Sequence, residues 1–151
     1  MGEPLELNYQ VRAAEPADAD QLVALWNADQ PGHPTGEFEQ ALRAVLRSET
    51  HVVFVMEAGG VAGCIHGAIL PMLGEVRTLH IFSLIVATPH RRRGIARRLL
   101  AVAEAWARAQ GCETCTTADA SKLVGAGDFW RAVGYEHAAT AEEYRKRLQA
   151  L

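Results

Sequence analysis

The run TLHIFSLIVA (78–87) passes through a short polar turn, TPHRRR (88–93), into GIARRLLAVAEAWARAQ (94–110). The first segment is almost wholly apolar and rich in β-formers, and it reads as a strand covered on both faces. The second repeats apolar residues at helical spacing, with Ile95, Leu99, Val102, Ala103 and Trp106 on one stripe and Gly111 as its stop. A buried strand that hands over directly to an amphipathic helix restricts the chain to folds in which helices pack on a sheet.

The rest of the chain extends that frame. Leu7, Tyr9 and Val11 alternate with polar residues as in a half-buried strand. Glu15 and Pro16 open a helix with Leu22, Val23, Leu25 and Trp26 on its inner face. QPGHPTG (30–36) is a loop, and 37–48 is a helix with Phe38, Leu42, Val45 and Leu46 inward. HVVFVMEA (51–58) and VAGCIHGAIL (61–70), joined by GG, form a hairpin. CETCTTAD (112–119) is a short strand, and AGDFWRAV (126–133) is a short helix stopped by Gly134. The order is that of a mixed α/β chain, too strand-heavy early on for a doubly wound dinucleotide fold.

At 151 residues and 49% hydrophobic composition, a single domain over 1–151 with a substantial core is expected. MGEPLELNYQ lacks the basic and apolar regions of a signal peptide. No stretch approaches the ~18 apolar residues of a membrane span. Three cysteines, Cys64, Cys112 and Cys115, suit a reducing compartment. A cytoplasmic protein with no membrane partner is the expectation.

Charge is concentrated rather than abundant. The formal net charge is −3, yet five of the 15 basic residues (Arg91, Arg92, Arg93, Arg97 and Arg98) fall within 91–98. They sit where a helix N-terminus already carries partial positive charge, a placement that costs ~0.3–1 kcal/mol per cation unless an anion is present. Helix N-termini bind phosphates through their unpaired N–H groups. Gly94 admits a close backbone approach, and the small Ala96 keeps it open. RRRGIA therefore reads as a pyrophosphate cradle; the alternative is a solvated basic helix end. The acidic total and the lack of aromatics between the arginines argue against a nucleic-acid partner. The chain has neither a P-loop nor a G-x-G-x-x-G fingerprint.

These residues resemble the GCN5-related N-acetyltransferase superfamily, whose acyl-CoA motif is [Arg/Gln]-x-x-Gly-x-[Gly/Ala] after a strand ending Val-x-Pro. Arg91, Gly94 and Ala96 fill the motif and Val86 ends the strand; Thr88 replaces the proline, with Pro89 one step later. FWRAVGY (129–135) is similar to the family's second feature, a short helix that ends in paired aromatics before Gly-Phe or Gly-Tyr. The resemblance implies a mixed, mostly antiparallel, splayed central sheet flanked by about four helices. It implies acetyl-CoA as co-substrate, held by the strand around Ser83–Val86 (Leu84, Ile85, Val86) and by Arg91, Arg92, Arg93, Gly94, Ile95, Ala96 and Arg97, with Phe129 alongside. It also implies a closing antiparallel strand, so EEYRKRL (142–148) is expected to be a strand despite its helix propensity.

The activity implied is transfer of an acetyl group to a primary amine of a small molecule or protein; the alternative is a coenzyme-binding sensor without transferase activity. His80, eleven residues before Arg91, stands where some members place a catalytic glutamate, and a neutral imidazole there accepts the ammonium proton. The competing reading is a histidine that satisfies a strand hydrogen bond. Relatives place a proton-donating tyrosine where this chain has Trp130. Asp119 is then the residue that orders a proton-donating water, while Tyr135 fills a buried aromatic position. Cys112 and Cys115 begin a strand, where i and i+3 face opposite sides, so neither a redox pair nor a zinc site is expected. Asp29, Glu37 and Glu39, in and beside the 27–39 connection, are candidate attractors of a cationic amine. Relatives are often homodimers.

Overall fold

The structure is a computed structural model that describes residues 8–118, 126–138 and 142–150. It divides into two compact units, Met1–Asp119 and Ala120–Leu151. The first holds β1 (Gln10–Ala13), α1 (Ala19–Asp29), α2 (Thr35–Arg47), β2 (His51–Glu57), β3 (Val61–Ile69), β4 (Thr78–Val86), α3 (Ile95–Ala109) and β5 (Thr114–Thr117). The second holds α4 (Ala126–Ala132).

The sheet runs β1-β2-β3-β4-β5 and is not closed; β4–β5 is parallel and every other pair antiparallel. Strand alternation gives it two apolar faces. On one, Val53, Val55 and Cys64 pack with Leu22 and Leu25 of α1 and Leu42 of α2. On the other, α3 lies close at Gly63, where a Cβ would meet Ile95 Cγ2 at 3.1 Å and Leu99 Cδ1 at 3.3 Å. The Ile85 carbonyl lies at 3.1 Å as well, so a side chain there would press on both sheet and helix. Leu99 and Leu100 are buried almost completely, each contributing about 1.5–3 kcal/mol of transfer free energy.

The entry into α1 is set by charge. Pro16–Asp18 forms a 3₁₀ turn that leads into α1, and the Asp18 carboxylate accepts the Glu15 N–H at 2.8 Å. Arg12 grips both oxygens of Asp18 at 2.8 Å and Oε2 of Glu57 at 2.6 Å, tying β1 to this turn and to β2. The guanidinium hydrogen bonds, aided by the Glu15 N–H, hold the Asp18 carboxyl below the usual carboxylate range against the opposing effect of burial.

Three expectations need correction. The buried stripe of α3 runs through Leu100 and Ala107, with Val102 and Trp106 half-buried; sequence spacing alone does not fix the rotation of an alanine-rich helix. β4 is covered only over its first half, for a reason given below. EEYRKRL (142–148) is neither strand nor helix: it is exposed throughout, and among the described residues its polar contacts are local, Tyr144 to Glu142 and Arg145 to Glu143. A segment without a ladder leaves its backbone to water, and side-chain propensity does not supply the partner.

Candidate active site

β4 changes character at Phe82. Thr78–Ile81 pair in parallel with Thr114–Thr117, and there β5 ends. On the other side the register slips from Gly67↔Ile81 to His66↔Ser83, so Phe82 is an extra residue, a β-bulge. Past it, among the described residues, β4 pairs only with β3. The Ala87 N–H donates to the Ala62 carbonyl at 2.8 Å, which fixes the alternation: Ile85 and Ser83 turn their main chain toward β3, Leu84 and Val86 turn theirs to the open edge. The thinner cover follows, with Phe82 exposed and Ser83–Val86 half-buried.

The turn after β4 faces the same strand end. Among the described residues Arg92 is the only non-glycine with a left-handed φ, 64°, and Gly94 follows at 75°. α3 has no side-chain cap, and its first intrahelical bond runs from the Arg98 N–H to the Gly94 carbonyl at 3.1 Å. The N–H groups of Ile95, Ala96 and Arg97 thus have no partner within the helix. A Cβ on Gly94 would meet nothing within 4 Å, so glycine here serves the left-handed backbone and leaves the approach open.

The arginines divide into two sets. Arg91 Nε donates to the Val86 carbonyl at 3.2 Å, and Arg98 Nη2 to the Tyr9 carbonyl at 3.1 Å. Tyr9 also places its hydroxyl 3.0 Å from His90 Nδ1, with the two rings edge to face, so one residue braces the turn and the helix behind it. Arg92, Arg93 and Arg97 are exposed, available to an anion at the helix end.

His80 lies before the bulge, paired with Ala68 and Thr116. Its Nε2 is buried and has no hydrogen-bond partner; Oε2 of Glu75 is 3.9 Å away, within ion-pair reach if the imidazole takes a proton. It lines an open groove of about 350 Å³ with Glu75, Val76, Thr78, Thr114 and Thr116. A buried imidazole nitrogen left without a partner is unusual in a purely structural role.

Other expected residues fall elsewhere. Asp119 lies outside the described residues. Phe129 is half-buried on α4, edge to face with Trp130 at 5.2 Å, and Trp130 packs on Tyr135 at 5.0 Å. Tyr135 is thus part of an aromatic cluster within its own unit. Glu39 pairs with Arg43 on α2, whereas Asp29 and Glu37 are exposed at the two helix ends. The three cysteines are free thiols. Cys64 is fully buried, and burial pushes its thiol far above the ordinary value. Among the described residues no cluster of three histidine, cysteine, aspartate or glutamate side chains is arranged to hold a metal ion.

Sequence reasoning missed a ring cluster. His51 Nδ1 lies 3.0 Å from His66 Nε2 with the rings stacked, and Phe82 sits 5.2 Å from His66 and 6.2 Å from His51. Burial, with a further contribution from His51, pulls the His66 pKa down to about 4. The alternation of β2 and β3 puts both histidines on one face, but the bulge that brings Phe82 to them has no sequence signal.

Residues 19–135 match the acetyltransferase (GNAT) family. The chain belongs to this family and is an N-acetyltransferase. Solved structures share the fold. The aminoglycoside N-acetyltransferase AAC(6')-Iy in complex with CoA is 20% identical, with a TM-score of 0.84 over 97% of this chain and 99% of that one. A transcriptional regulator from Bacillus halodurans is 15% identical, with a TM-score of 0.84 over 92% and 100%. An aminoglycoside acetyltransferase from an uncultured soil metagenomic sample, in complex with sisomicin, is 18% identical, with a TM-score of 0.75 over 93% and 97%. No curated protein is similar to the chain in sequence. No helix among the described residues is long and apolar enough to cross a membrane.

Proposed function

We propose that the protein acetylates a primary amine of a small molecule or protein by direct attack within a ternary complex. The observation that carries this reading is the parting of β4 from β5 beside an uncapped, arginine-flanked helix start. The main chain of Leu84 and the N–H of Val86, whose carbonyl already accepts from Arg91, offer hydrogen-bonding groups to the pantetheine arm, as an added strand would. The amides of 91–97, backed by Arg92, Arg93 and Arg97, offer a site for the pyrophosphate.

In the step itself the amine nitrogen forms a bond to the acetyl carbon, the C–S bond breaks, and the amine loses a proton. His80 takes that proton at its unpartnered Nε2, and Glu75 offsets the charge that results. The leaving thiolate draws its proton from water ordered by Asp119, since Trp130 occupies the tyrosine position of relatives. Much of the rate comes from holding amine and thioester together.

The reading includes one acyltransferase domain over 1–151, a cytoplasmic location consistent with three free cysteines, and a homodimer. Thiol release from acetyl-CoA against a panel of primary amines tests it, with turnover above background expected for at least one. Tight acetyl-CoA binding without turnover on any amine would favour the sensor alternative, and no binding would end both.

A further inference from the structure

We propose that Phe82, His66 and His51 form the floor of the acceptor site and select a monoamine carrying an aromatic ring over a polycationic sugar. The inference rests on the acetyltransferase reading above and names the substrate class of that site.

Placement comes first. The ladder sets His51, Ala68, His80 and Thr116 on one row across β2, β3, β4 and β5, so their side chains share a face. His66 lies two residues from Ala68 on β3, hence on that same face, opposite Ser83 just past the bulge. The ring cluster therefore adjoins His80 and the point where the β4 edge opens.

The chemistry of the patch comes second. Phe82 is 48% exposed, while its neighbours Ile81 and Leu79 are 3% and 0% exposed. A bulge re-aims a side chain, and here it turns a phenyl ring outward against two imidazoles. Burial holds the His66 pKa down to about 4, so its ring adds an aromatic rather than a cationic surface beside Phe82. Such a surface takes a flat ring by offset or edge contact.

The carboxylates come third. Glu57 is held by Arg12 and Glu39 by Arg43, whereas Glu75 borders the groove beside His80. Among the described residues the groove presents one carboxylate, which matches one ammonium. An aminoglycoside carries several and needs several carboxylates close together.

The test compares 2-phenylethylamine, n-butylamine and sisomicin as acceptors for the full-length protein and for Phe82→Ala. For the native protein we expect kcat/KM for 2-phenylethylamine at least tenfold above that for the other two. Phe82→Ala should bring the ratio to butylamine near one through KM, with acetyl-CoA affinity unchanged. Equal rates on the two monoamines, a preference for sisomicin, or a ratio untouched by the substitution would overturn the proposal. Phe82→Leu keeps apolar volume and loses the ring, and it stands in if Phe82→Ala misfolds. If nothing is turned over, saturation-transfer NMR of 2-phenylethylamine still decides. Signal lost in Phe82→Leu supports the floor, and no signal with the native protein refutes it, whatever the fate of the transferase reading.

Discussion

The two halves of β4 differ more than their sequences do. TLHI (78–81) precedes the bulge and SLIV (83–86) follows it, and both stretches are largely apolar and β-prone. Yet Leu79–Ile81 are paired on both edges and Leu79 and Ile81 are buried, whereas Ser83–Val86 keep one neighbour among the described residues and remain partly open. The first half holds the sheet together. The second gives up a ladder and gains a row of main-chain groups for a ligand. Backbone groups that a fold leaves unpaired mark where something else is meant to bind.

That contrast is open to attack at several points. The largest effect is expected at the mouth of the open half: Gly94→Glu should weaken acetyl-CoA binding at least about a hundredfold, since it places bulk and negative charge among the amides. Its stability loss should stay near the ~1–2 kcal/mol of a left-handed non-glycine residue. Calorimetry with a parallel melting curve reads both, and unchanged affinity would put the cradle elsewhere.

Next come the halves themselves. Leu79→Ala should cost about 3 kcal/mol in chemical denaturation and leave the folded protein's coenzyme affinity alone, because Leu79 is fully buried. Leu84→Ala should cost only about 1 kcal/mol, its part being played by the main chain. Equal costs would erase the distinction.

His80→Ala should lower kcat roughly tenfold to a hundredfold and flatten the acidic limb of the pH–rate curve. An unaltered profile would remove His80 from the proton transfer. The smallest effect concerns His66. Its folded pKa of about 4 lies below its ordinary 6.5, so the unfolded chain binds a proton that the folded chain refuses. Stability is full above pH 6.5 and falls as pH drops from there toward 4. In His66→Gln that slope should shrink, as thermal melts at pH 7 and 4.5 would register.

Much of this was legible in the amino-acid sequence because it rests on local rules. Alternation marked the β2–β3 hairpin, and the step from apolar strand to basic turn to amphipathic helix marked β4 and α3. The glycine after three arginines marked a close backbone approach, and a Cβ on Gly94 would meet nothing within 4 Å. What escaped was non-local. HIFSLIV carries no sign of a bulge, so the exposure of Phe82 was not foreseen, and the splayed sheet beside Ser83–Val86 was expected only from the family resemblance. The His51–His66 contact depends on a register set by pairing, not by either strand. The tail was assigned as strand by resemblance, and no ladder receives it.

The central claim is that the main chain of 84–86 and the first turn of α3 hold the coenzyme. Amide chemical-shift mapping during an acetyl-CoA titration tests it most directly. The account predicts the largest shifts at Leu84, Val86, Ile95, Ala96 and Arg97, with Leu79 and Ile81 nearly still. Saturable binding whose shifts cluster away from those residues, or no binding at all, would contradict it.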